Sequence, residues 1–218
     1  VMEKIKIIIL AAGKGTRMRS NEPKALIKLQ GKPFLRHILD TITSLNLPAG
    51  PIIVIGHQKE KIKEMLGDAY EYAEQIEQLG TGDAVRSAQN KVGKETEIVL
   101  VISADQPMIS SKTLGRIISE HQTKKPTITL GTVVVPNFTD WREGLNHFGI
   151  IVRGKDGSVK KIVEFKDASD EEKKGKELNL AIYAFDAKWL WNNIDKLKNE
   201  NASKEFYLTD LVKIACNQ

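Results

Sequence analysis

Apolar residues in the first half of the chain fall into short continuous runs separated by helical patterns. The runs at residues 4–10, 52–55 and 98–102 are rich in isoleucine, valine and leucine, which is typical of strands buried on both faces. From Phe34 to Leu45, apolar positions three and four apart predict an amphipathic helix. Strands joined by helical crossovers indicate a mainly parallel sheet, in which ligands bind beyond the carboxyl ends of the strands.

The rest of the pattern predicts two differently built halves. The first half continues with a short helix that ends at Gly67, a strand at 70–73 and a helix that ends near Asn90. The second half is dominated by strands, which predict antiparallel additions and a lobe over the substrate. The predicted elements of this half are strands at 127–135, 147–152, 159–165 and 178–185, and a helix at 189–197.

Composition narrows the class of protein. The chain has 218 residues, of which 41% are hydrophobic, enough for one sizeable α/β domain. No apolar run reaches the roughly 20 residues of a membrane span, and the first residues do not resemble a signal peptide.

The single cysteine, Cys216, cannot form an internal disulfide, so we expect a cytoplasmic protein. The net charge of +5 comes from interleaved acidic and basic residues, which predicts a solvated surface with no nucleic-acid or membrane partner.

A glycine-containing loop follows the first predicted strand. It reads LAAGKGTRM over residues 10–18, and it places Lys14 and Arg17 near the later Lys24. Glycines let backbone N–H groups approach an anion, and three cations add charge, so the loop suits a polyphosphate. It is neither a Walker A loop nor a dinucleotide fingerprint, since Met18 stands where the third glycine belongs. The alternative is an ordinary strand-to-loop turn with solvated basic residues.

The whole LAAGKGTRM string resembles the signature of sugar nucleotidyltransferases, which have a GT-A-like, Rossmann-like fold. The resemblance implies that Arg17 and Lys24 hold the phosphates and act in catalysis. It also implies that the backbone of the loop faces the nucleotide through Leu10, Ala11, Ala12, Gly13, Lys14 and Gly15.

A second string, QLGTGDAV at residues 78–85, is similar to the QLGTGHA string of N-acetylglucosamine-1-phosphate uridyltransferases. The resemblance assigns recognition of uracil to Gln75 and Gln78, since an amide offers both a donor and an acceptor to the imide edge of the base. It assigns close backbone contact to Gly80 and Thr81. Asp83 replaces the histidine of that string. The alternative is a helix-entry turn with Thr81 as its cap.

An aspartate, Asp105, follows the predicted strand at 98–102. Taken alone, it could merely cap the next helix. In the family that the two strings resemble, the corresponding aspartate binds magnesium, and Mg²⁺ often takes one or two carboxylates plus water and phosphate oxygens. The resemblance therefore implies Mg²⁺ as cofactor, with Asp105 as its ligand.

Four later segments extend the resemblance: residues 148–151, 162–168, 178–181 and 205–210. The first has Ile150 where the family has arginine, and the third has Leu180 and Ala181 where the family has threonine and glycine. Taken one at a time, each matching residue could be an ordinary polar residue at a strand edge or on the surface. Together they imply a sugar-phosphate pocket lined by Gly149, Glu164, Asn179, Tyr207 and Thr209.

The resemblance spans nearly all of the chain and indicates the N-terminal, pyrophosphorylase half of the bifunctional bacterial enzymes. We therefore expect one nucleotidyltransferase domain over residues 1–218, without a β-helix acetyltransferase domain. Its nucleotide-binding part should cover about residues 1–110 and its sugar-binding part about 111–218. The expected fold is α/β and GT-A-like, with a mixed, mainly parallel sheet flanked by helices and a small antiparallel sugar-binding lobe.

The function implied is Mg²⁺-dependent transfer of a uridylyl group from UTP to a sugar-1-phosphate, with N-acetylglucosamine-1-phosphate as the expected acceptor. A phosphate monoester is largely ionised at neutral pH, so no general base is needed, and no catalytic histidine is predicted. Two alternatives stay open: another nucleotide or sugar or alcohol phosphate, and a nucleotide-binding regulatory protein without turnover. Related enzymes have a second magnesium ligand in a Gly-Val-Asn string, which this sequence lacks.

Overall fold

The computed structural model describes residues 4–13 and 22–218, so the predicted site residues Lys14, Gly15 and Arg17 lie outside the described residues. The strands of the described part are β1 (Ile5–Leu10), β2 (Lys28–Leu29), β3 (Lys32–Pro33), β4 (Ile52–Ile55), β5 (Glu71–Glu74), β6 (Ile98–Ser103), β7 (Ile128–Val134), β8 (Ile150–Arg153), β9 (Val159–Val163) and β10 (Glu177–Asp186). Its α-helices are α1 (Phe34–Thr43), α2 (Lys59–Leu66), α3 (Thr81–Ser87), α4 (Ser111–Lys124), α5 (Ala187–Asn193) and α6 (Asp210–Cys216).

The large sheet has the strand order β5-β4-β1-β6-β10-β8-β9, and β7 pairs with β10. Strands β5, β4, β1 and β6 are parallel, whereas β10, β7, β8 and β9 join through antiparallel pairs. The expected mixed α/β fold flanked by helices is confirmed. The parallel strands bring their carboxyl ends to one edge, as the sequence predicts.

Strand β1 lies at the centre of two apolar layers. Ile7 and Ile9 pack into the layer that contains α1, α2 and α4, while Ile8 packs into the opposite layer with α3, α5 and α6. Side chains alternate across a strand, so an unbroken apolar run serves both layers. All three isoleucines are fully buried.

Strand β10 joins the parallel strands to the antiparallel lobe. Its residues 183–186 pair with β6, and its first residues pair with β7 and β8. Between Asn179 and Tyr183 the register with β7 shifts, and Ala181 has a φ of 53°. The strand therefore bends at the segment where the sequence departs from the family pattern. A third apolar cluster, which includes Ile150 and Leu178, forms the core of the lobe.

Two helices and one hairpin of two strands are not among the sequence-based predictions. Helix α4 buries Leu114, Ile117 and Ile118 on one face, and Ser110 caps it by accepting a hydrogen bond from the N–H of Thr113 at 3.1 Å. Helix α6 packs against β9. Strands β2 and β3 form a hairpin whose two-residue turn has positive φ at both positions, 51° and 80°, the backbone of a type I′ turn.

Within the described residues, no helix is both long and apolar enough to cross a bilayer.

The lobe contains an ion pair that depends on pH. Glu172 accepts hydrogen bonds from Lys161 at 2.7 Å and from the N–H and the hydroxyl of Ser169 at 2.9 Å each. Its main-chain N–H donates back to the Ser169 hydroxyl at 3.3 Å, so the two residues form a capping box. These donors, the Lys161 ammonium first, lower the pKa of Glu172 from 4.5 to about 2.

We expect Glu172→Gln to lower the free energy of unfolding by about 1 kcal/mol at pH 7, a value that allows for screening at this partly exposed site. Because the pKa is lower in the folded state, the stabilisation is present above pH 4.5 and is lost as the pH falls toward 2. Urea unfolding of the unmodified protein and of Glu172→Gln between pH 7 and pH 3 measures this difference in the free energy of unfolding. Glu171→Gln is the control, since Glu171 pairs with Lys174 and its side chain is exposed. An equal loss in the control, or a difference independent of pH, would contradict the prediction.

Candidate functional site

A cavity of about 630 Å³ opens at the carboxyl ends of β1, β5 and β6. Most of its lining residues are those predicted to bind nucleotide or metal: Leu10, Ala11, Ala12, Gly13, Lys24, Gln75, Gln78, Gly80, Thr81 and Asp105. The remaining lining residues are Ala25, Ala84, Ser103, Ala104, Phe148 and Glu205. The structure therefore collects residues that lie up to 195 positions apart in the sequence, from Leu10 to Glu205.

The turn after β1 is held by its neighbours in the sheet. The N–H of Ala11 donates to the carbonyl of Val54 at 2.8 Å, and the N–H of Ala104 donates to the carbonyl of Leu10 at 2.9 Å. A Cβ at Gly13 would meet no described atom within 4 Å. Glycine at this position is thus not required by packing within the described protein, and it leaves open space beside the cavity.

Lys24 and Asp105 form an ion pair inside the cavity. The Lys24 ammonium donates to the Asp105 carboxylate at 2.5 Å, and about a third of each side chain is exposed. Lys24 begins a short 3₁₀ turn, and Asp105 follows β6. The pair joins two of the loops that line the cavity and places one positive and one negative group where a phosphate and a cation could bind.

Gln75 and Gln78 line the cavity with their side-chain NH₂ groups turned toward the protein. Nε2 of Gln75 donates to the carbonyl of Gly80 at 3.0 Å and to Oδ2 of Asp83 at 2.9 Å. Nε2 of Gln78 donates to the carbonyl of Gln75 at 3.2 Å and to that of Ile76 at 3.4 Å. The expectation that these amides offer both a donor and an acceptor to a base is therefore only half met, because their donors are used within the protein.

The loop that contains Gly80 is crossed by a segment near the end of the chain. The N–H of Phe206 donates to the carbonyl of Leu79 at 2.7 Å, and the N–H of Gly82 donates to the carbonyl of Phe206 at 2.8 Å. The Thr81 hydroxyl accepts from the N–H of Leu208 at 3.0 Å. Two strings of the sequence that are more than 120 positions apart therefore build one wall of the cavity.

This crossing explains the glycine at position 80. Gly80 has a φ of 110°, and a Cβ there would lie 2.7 Å from the carbonyl oxygen of Phe206 and 2.9 Å from Cβ of Glu205. A side chain would be strained by the backbone conformation and blocked by the neighbouring segment.

The residues predicted to line the sugar-phosphate pocket lie together in the antiparallel lobe. Thr209 donates to Oε1 of Glu164 at 3.0 Å, and a Cβ at Gly149 would lie 3.4 Å from the same oxygen. The same Cβ would lie 3.5 Å from Cβ of Asn179. Burial raises the pKa of Tyr207, and the nearby carboxylate of Glu164 adds to the effect. Their role toward a sugar phosphate stays a prediction.

Asn179 is bound within the bend of β10. It is buried, its Nδ2 donates to the Tyr183 hydroxyl at 2.6 Å, and its Oδ1 accepts from the N–H of Ala181 at 3.0 Å. Burial raises the pKa of Tyr183 well above the ordinary value for tyrosine, so its hydroxyl is protonated across the physiological range. Gln106 donates to the carbonyl of Leu180 and so connects the bend to the loop after β6.

The four histidines do not line the cavity. His37 contacts the carbonyl of Leu29 at 3.0 Å, His121 is buried against Thr129, and His147 packs edge-on against the ring of Phe165. His57 contacts Gln58.

A family model described as the MobA-like NTP transferase domain matches residues 7–154, more than half of the chain. The chain belongs to the MobA-like NTP transferase family. The nucleotidyltransferase class expected from the sequence is thereby confirmed, and the matched residues include the turn after β1, the Gln75–Asp83 loop and Asp105. Nucleotidyltransferases of this kind typically use a divalent metal.

Curated relatives of this NTP transferase carry the name bifunctional protein GlmU. The protein from Exiguobacterium sibiricum is 41% identical over 208 residues, which are 95% of this chain and 44% of that protein. The protein from Bacillus subtilis strain 168 is 38% identical over 217 residues, which are 100% of this chain and 46% of that protein. The chain thus spans less than half the length of the curated relatives that it matches, and the expected resemblance to this group is confirmed.

Among solved structures, the crystal structure of UDP-glucose pyrophosphorylase complexed with UDP-glucose superposes with a TM-score of 0.77. The match covers 100% of this chain and 88% of the other at 19% sequence identity. At that identity the comparison concerns the fold alone, and it confirms the nucleotidyltransferase architecture.

Six residues that line the NTP transferase cavity were not among the predicted site residues, and the two largest of them are Phe148 and Glu205. Both lie in segments that resemble the family, next to Gly149 and before Tyr207, so the resemblance carried a signal for them. Nothing in the spacing of the sequence indicates the bonds of Asp83 to Gln75 or of Lys24 to Asp105.

Substituting Gly80 should cost much more stability than substituting a glycine that has positive φ alone. We expect Gly80→Ala to lower the free energy of unfolding by at least about 3 kcal/mol, because backbone strain and a steric clash act together. Gly31→Ala is the matched control, since Gly31 has a φ of 80° but open space around it, and it should cost roughly 1 kcal/mol. Urea unfolding of both variants is the measurement, and equal costs would show that the crossing segment does not constrain Gly80.

Proposed function

We propose that this NTP transferase transfers a uridylyl group from UTP to a sugar-1-phosphate, with N-acetylglucosamine-1-phosphate as the expected acceptor. One observation carries the proposal: a single cavity gathers the turn at Ala11–Gly13, the Lys24–Asp105 pair and the loop that contains Gln75 and Gly80. These are the parts that the resemblance assigns to the nucleotide and to its magnesium ion. The family match to an NTP transferase domain, together with the fold shared with a UDP-glucose pyrophosphorylase, supports nucleotide and sugar-phosphate substrates.

The nucleotide would bind with its base at the Gln75–Thr81 loop and its phosphates at the turn after β1. The carbonyl ends of Gln75 and Gln78 suit a base that donates a hydrogen bond, because their NH₂ groups are already used. Lys24 supplies positive charge at the phosphates. Arg17 is proposed for the same role from the resemblance and lies outside the described residues.

The sugar phosphate would bind beside Phe148 and Glu205, toward the antiparallel lobe. Glu164, Thr209 and Tyr207 offer carboxylate and hydroxyl groups that suit sugar hydroxyls. Asn179 contributes to this wall by fixing the bend of β10, since its amide contacts Tyr183 and Ala181. Its amide has one further N–H and one further lone pair, which suit the proposed contact with the sugar phosphate.

Asp105 fits a Mg²⁺ ion that takes few protein ligands. Its carboxylate lies in the cavity and already accepts one cation, the Lys24 ammonium. The described residues contain no group of three or more histidine, cysteine, aspartate or glutamate side chains that could hold a metal by themselves. Mg²⁺ commonly draws its other ligands from phosphate oxygens and water. When bound, it would neutralise charge on the phosphates.

The reaction follows from charge and position. An oxygen of the sugar-1-phosphate forms a bond to the α-phosphorus of UTP, and the bond from that phosphorus to the oxygen that bridges to the β-phosphate breaks. Pyrophosphate leaves with the electron pair of that bond. The attacking phosphate is already largely ionised at neutral pH, so the side chains have to align the two substrates and offset their charge rather than remove a proton.

The decisive experiment measures pyrophosphate release with a panel of substrates. UTP, CTP, ATP and GTP are each combined with N-acetylglucosamine-1-phosphate, glucose-1-phosphate and an alcohol phosphate in the presence of Mg²⁺. The proposal expects the fastest release from UTP with a sugar-1-phosphate. Faster release with another pair would favour a different nucleotidyltransferase, and nucleotide binding without any release would favour a regulatory protein.

Placement in the cytoplasm, expected from the single cysteine, is part of the same proposal.

Lys24→Ala should lower kcat by about 10²–10³, which corresponds to roughly 3–4 kcal/mol of lost transition-state stabilisation. Its partner Asp105 would remain, so the variant tests the cation rather than the metal ligand. Lys28→Ala is the control, because Lys28 is an exposed lysine on β2 outside the cavity. Steady-state pyrophosphate release and thermal unfolding are measured for both. A folded Lys24→Ala protein with normal turnover would remove Lys24 from the mechanism.

A further inference from the structure

We infer that Asp83 is a positioning residue that sets the polarity of the Gln75 amide, so that the cavity selects bases whose ring nitrogen carries a hydrogen. The inference rests on the proposed function in one respect: the ligand of this cavity is taken to be a pyrimidine nucleotide. It adds to that function the residue that distinguishes uracil from cytosine.

The orientation of the amide follows from its neighbours. One end of Gln75 lies 3.0 Å from the carbonyl oxygen of Gly80 and 2.9 Å from Oδ2 of Asp83. A carbonyl oxygen and a carboxylate oxygen can only accept hydrogen bonds. The NH₂ group must therefore be at that end, since an amide oxygen there would face two acceptors without a proton between them.

Asp83 is itself held in place. Its Oδ1 accepts from Nη2 of Arg86 at 2.6 Å, while its Oδ2 is the atom that contacts Gln75. The Arg86 guanidinium also lies over the ring of Phe206, 5.1 Å from its centre. Only 15% of the Asp83 side chain is exposed. The carboxylate therefore has one oxygen for its cation and one for the amide.

The remaining end of Gln75 is its carbonyl oxygen. Gln75 is buried at 5% exposure but lines the cavity. Within residues 4–13 and 22–218, no hydrogen bond to Oε1 of Gln75 is present, and this oxygen is not among the fully enclosed polar atoms. Both amide hydrogens are used, so Gln75 presents the cavity with an acceptor and no donor.

An acceptor at this position distinguishes the two common pyrimidines. The N3 atom of uracil carries a hydrogen and can donate to the oxygen, whereas N3 of cytosine has a lone pair and would be repelled. Thymine has the same N3–H as uracil and should be accepted equally at this contact. If Asp83 were absent, one of the two acceptors that hold the NH₂ group would be lost, and the amide could turn to offer its donor to cytosine.

The experiment measures dissociation constants of UTP, CTP and dTTP by calorimetry for the full chain and its variants. We expect Asp83→Ala to reduce the preference for UTP over CTP by about tenfold, the effect of one charge-assisted hydrogen bond. The preference for UTP over dTTP should be unchanged, because both bases have the N3–H. A general loss of structure or of positive charge would shift all three affinities together.

Two further variants separate the hydrogen bond from the charge. Arg86→Ala removes the cation while the Asp83 carboxylate stays opposite Gln75, and it should retain the UTP preference to within about threefold. Asp195→Ala removes the other carboxylate near Arg86, which lies 3.8 Å from Nη1 and is exposed, and should leave every ratio unchanged. A loss in Arg86→Ala as large as in Asp83→Ala, or an equal loss in Asp195→Ala, would overturn the inference.

The unmodified protein supplies a measurement that does not depend on the folding of a variant. In ¹⁵N-labelled protein, the side-chain NH₂ signals of Gln75, identified by their loss in Gln75→Ala, should exchange slowly with solvent. Fast exchange would overturn the inference. If the unmodified protein binds UTP and CTP equally, base selection in the proposed function fails. If it prefers UTP and Asp83→Ala keeps that preference, only the role of Asp83 fails.

Discussion

The parallel pairing of β1 with β4 on one side and β6 on the other is the interaction on which the structure depends. Residues 5–10 pair with β6, residues 8–10 also pair with β4, and most of the strand is buried. Parallel neighbours must be reached through crossover helices, which brings the carboxyl ends of β1 and β6 side by side. The turn at Ala11–Gly13 and the carboxylate of Asp105 are neighbours for that reason alone.

A second constraint closes the cavity from the far end of the chain. Residues 205–208 cross the loop at 79–82 through three hydrogen bonds, and the approach is close enough to require glycine at position 80. Because Phe206 also lies beneath the Arg86 guanidinium, the crossing segment supports the network that contains Asp83 and Gln75. Recognition of a base and closure of the fold thus share the same few contacts.

The parts predicted from the sequence are those with a strong local signal. Strands β1, β4 and β6 and helix α1 follow from unbroken apolar runs and from a regular helical stripe, and the cavity lining follows from the glycine-containing strings. Helix α4 was not predicted, because its buried Leu114, Ile117 and Ile118 are dispersed among charged and polar residues. Side-chain pairs were not predictable either: Lys24 and Asp105 are 81 positions apart, and no local pattern encodes their contact.

Because strand β10 pairs with β6, the first 110 residues do not form a unit that can be separated from the rest of the chain. Residues 98–101 of β6 are paired with residues 183–186, which arrive after the whole lobe has been built. A shorter fragment would leave β6 as an open, strongly apolar edge, the kind of edge that joins to a second chain. A nascent chain therefore carries this unprotected edge through the synthesis of some 80 further residues, so its exposure to chaperones is a consequence of topology and not of sequence composition.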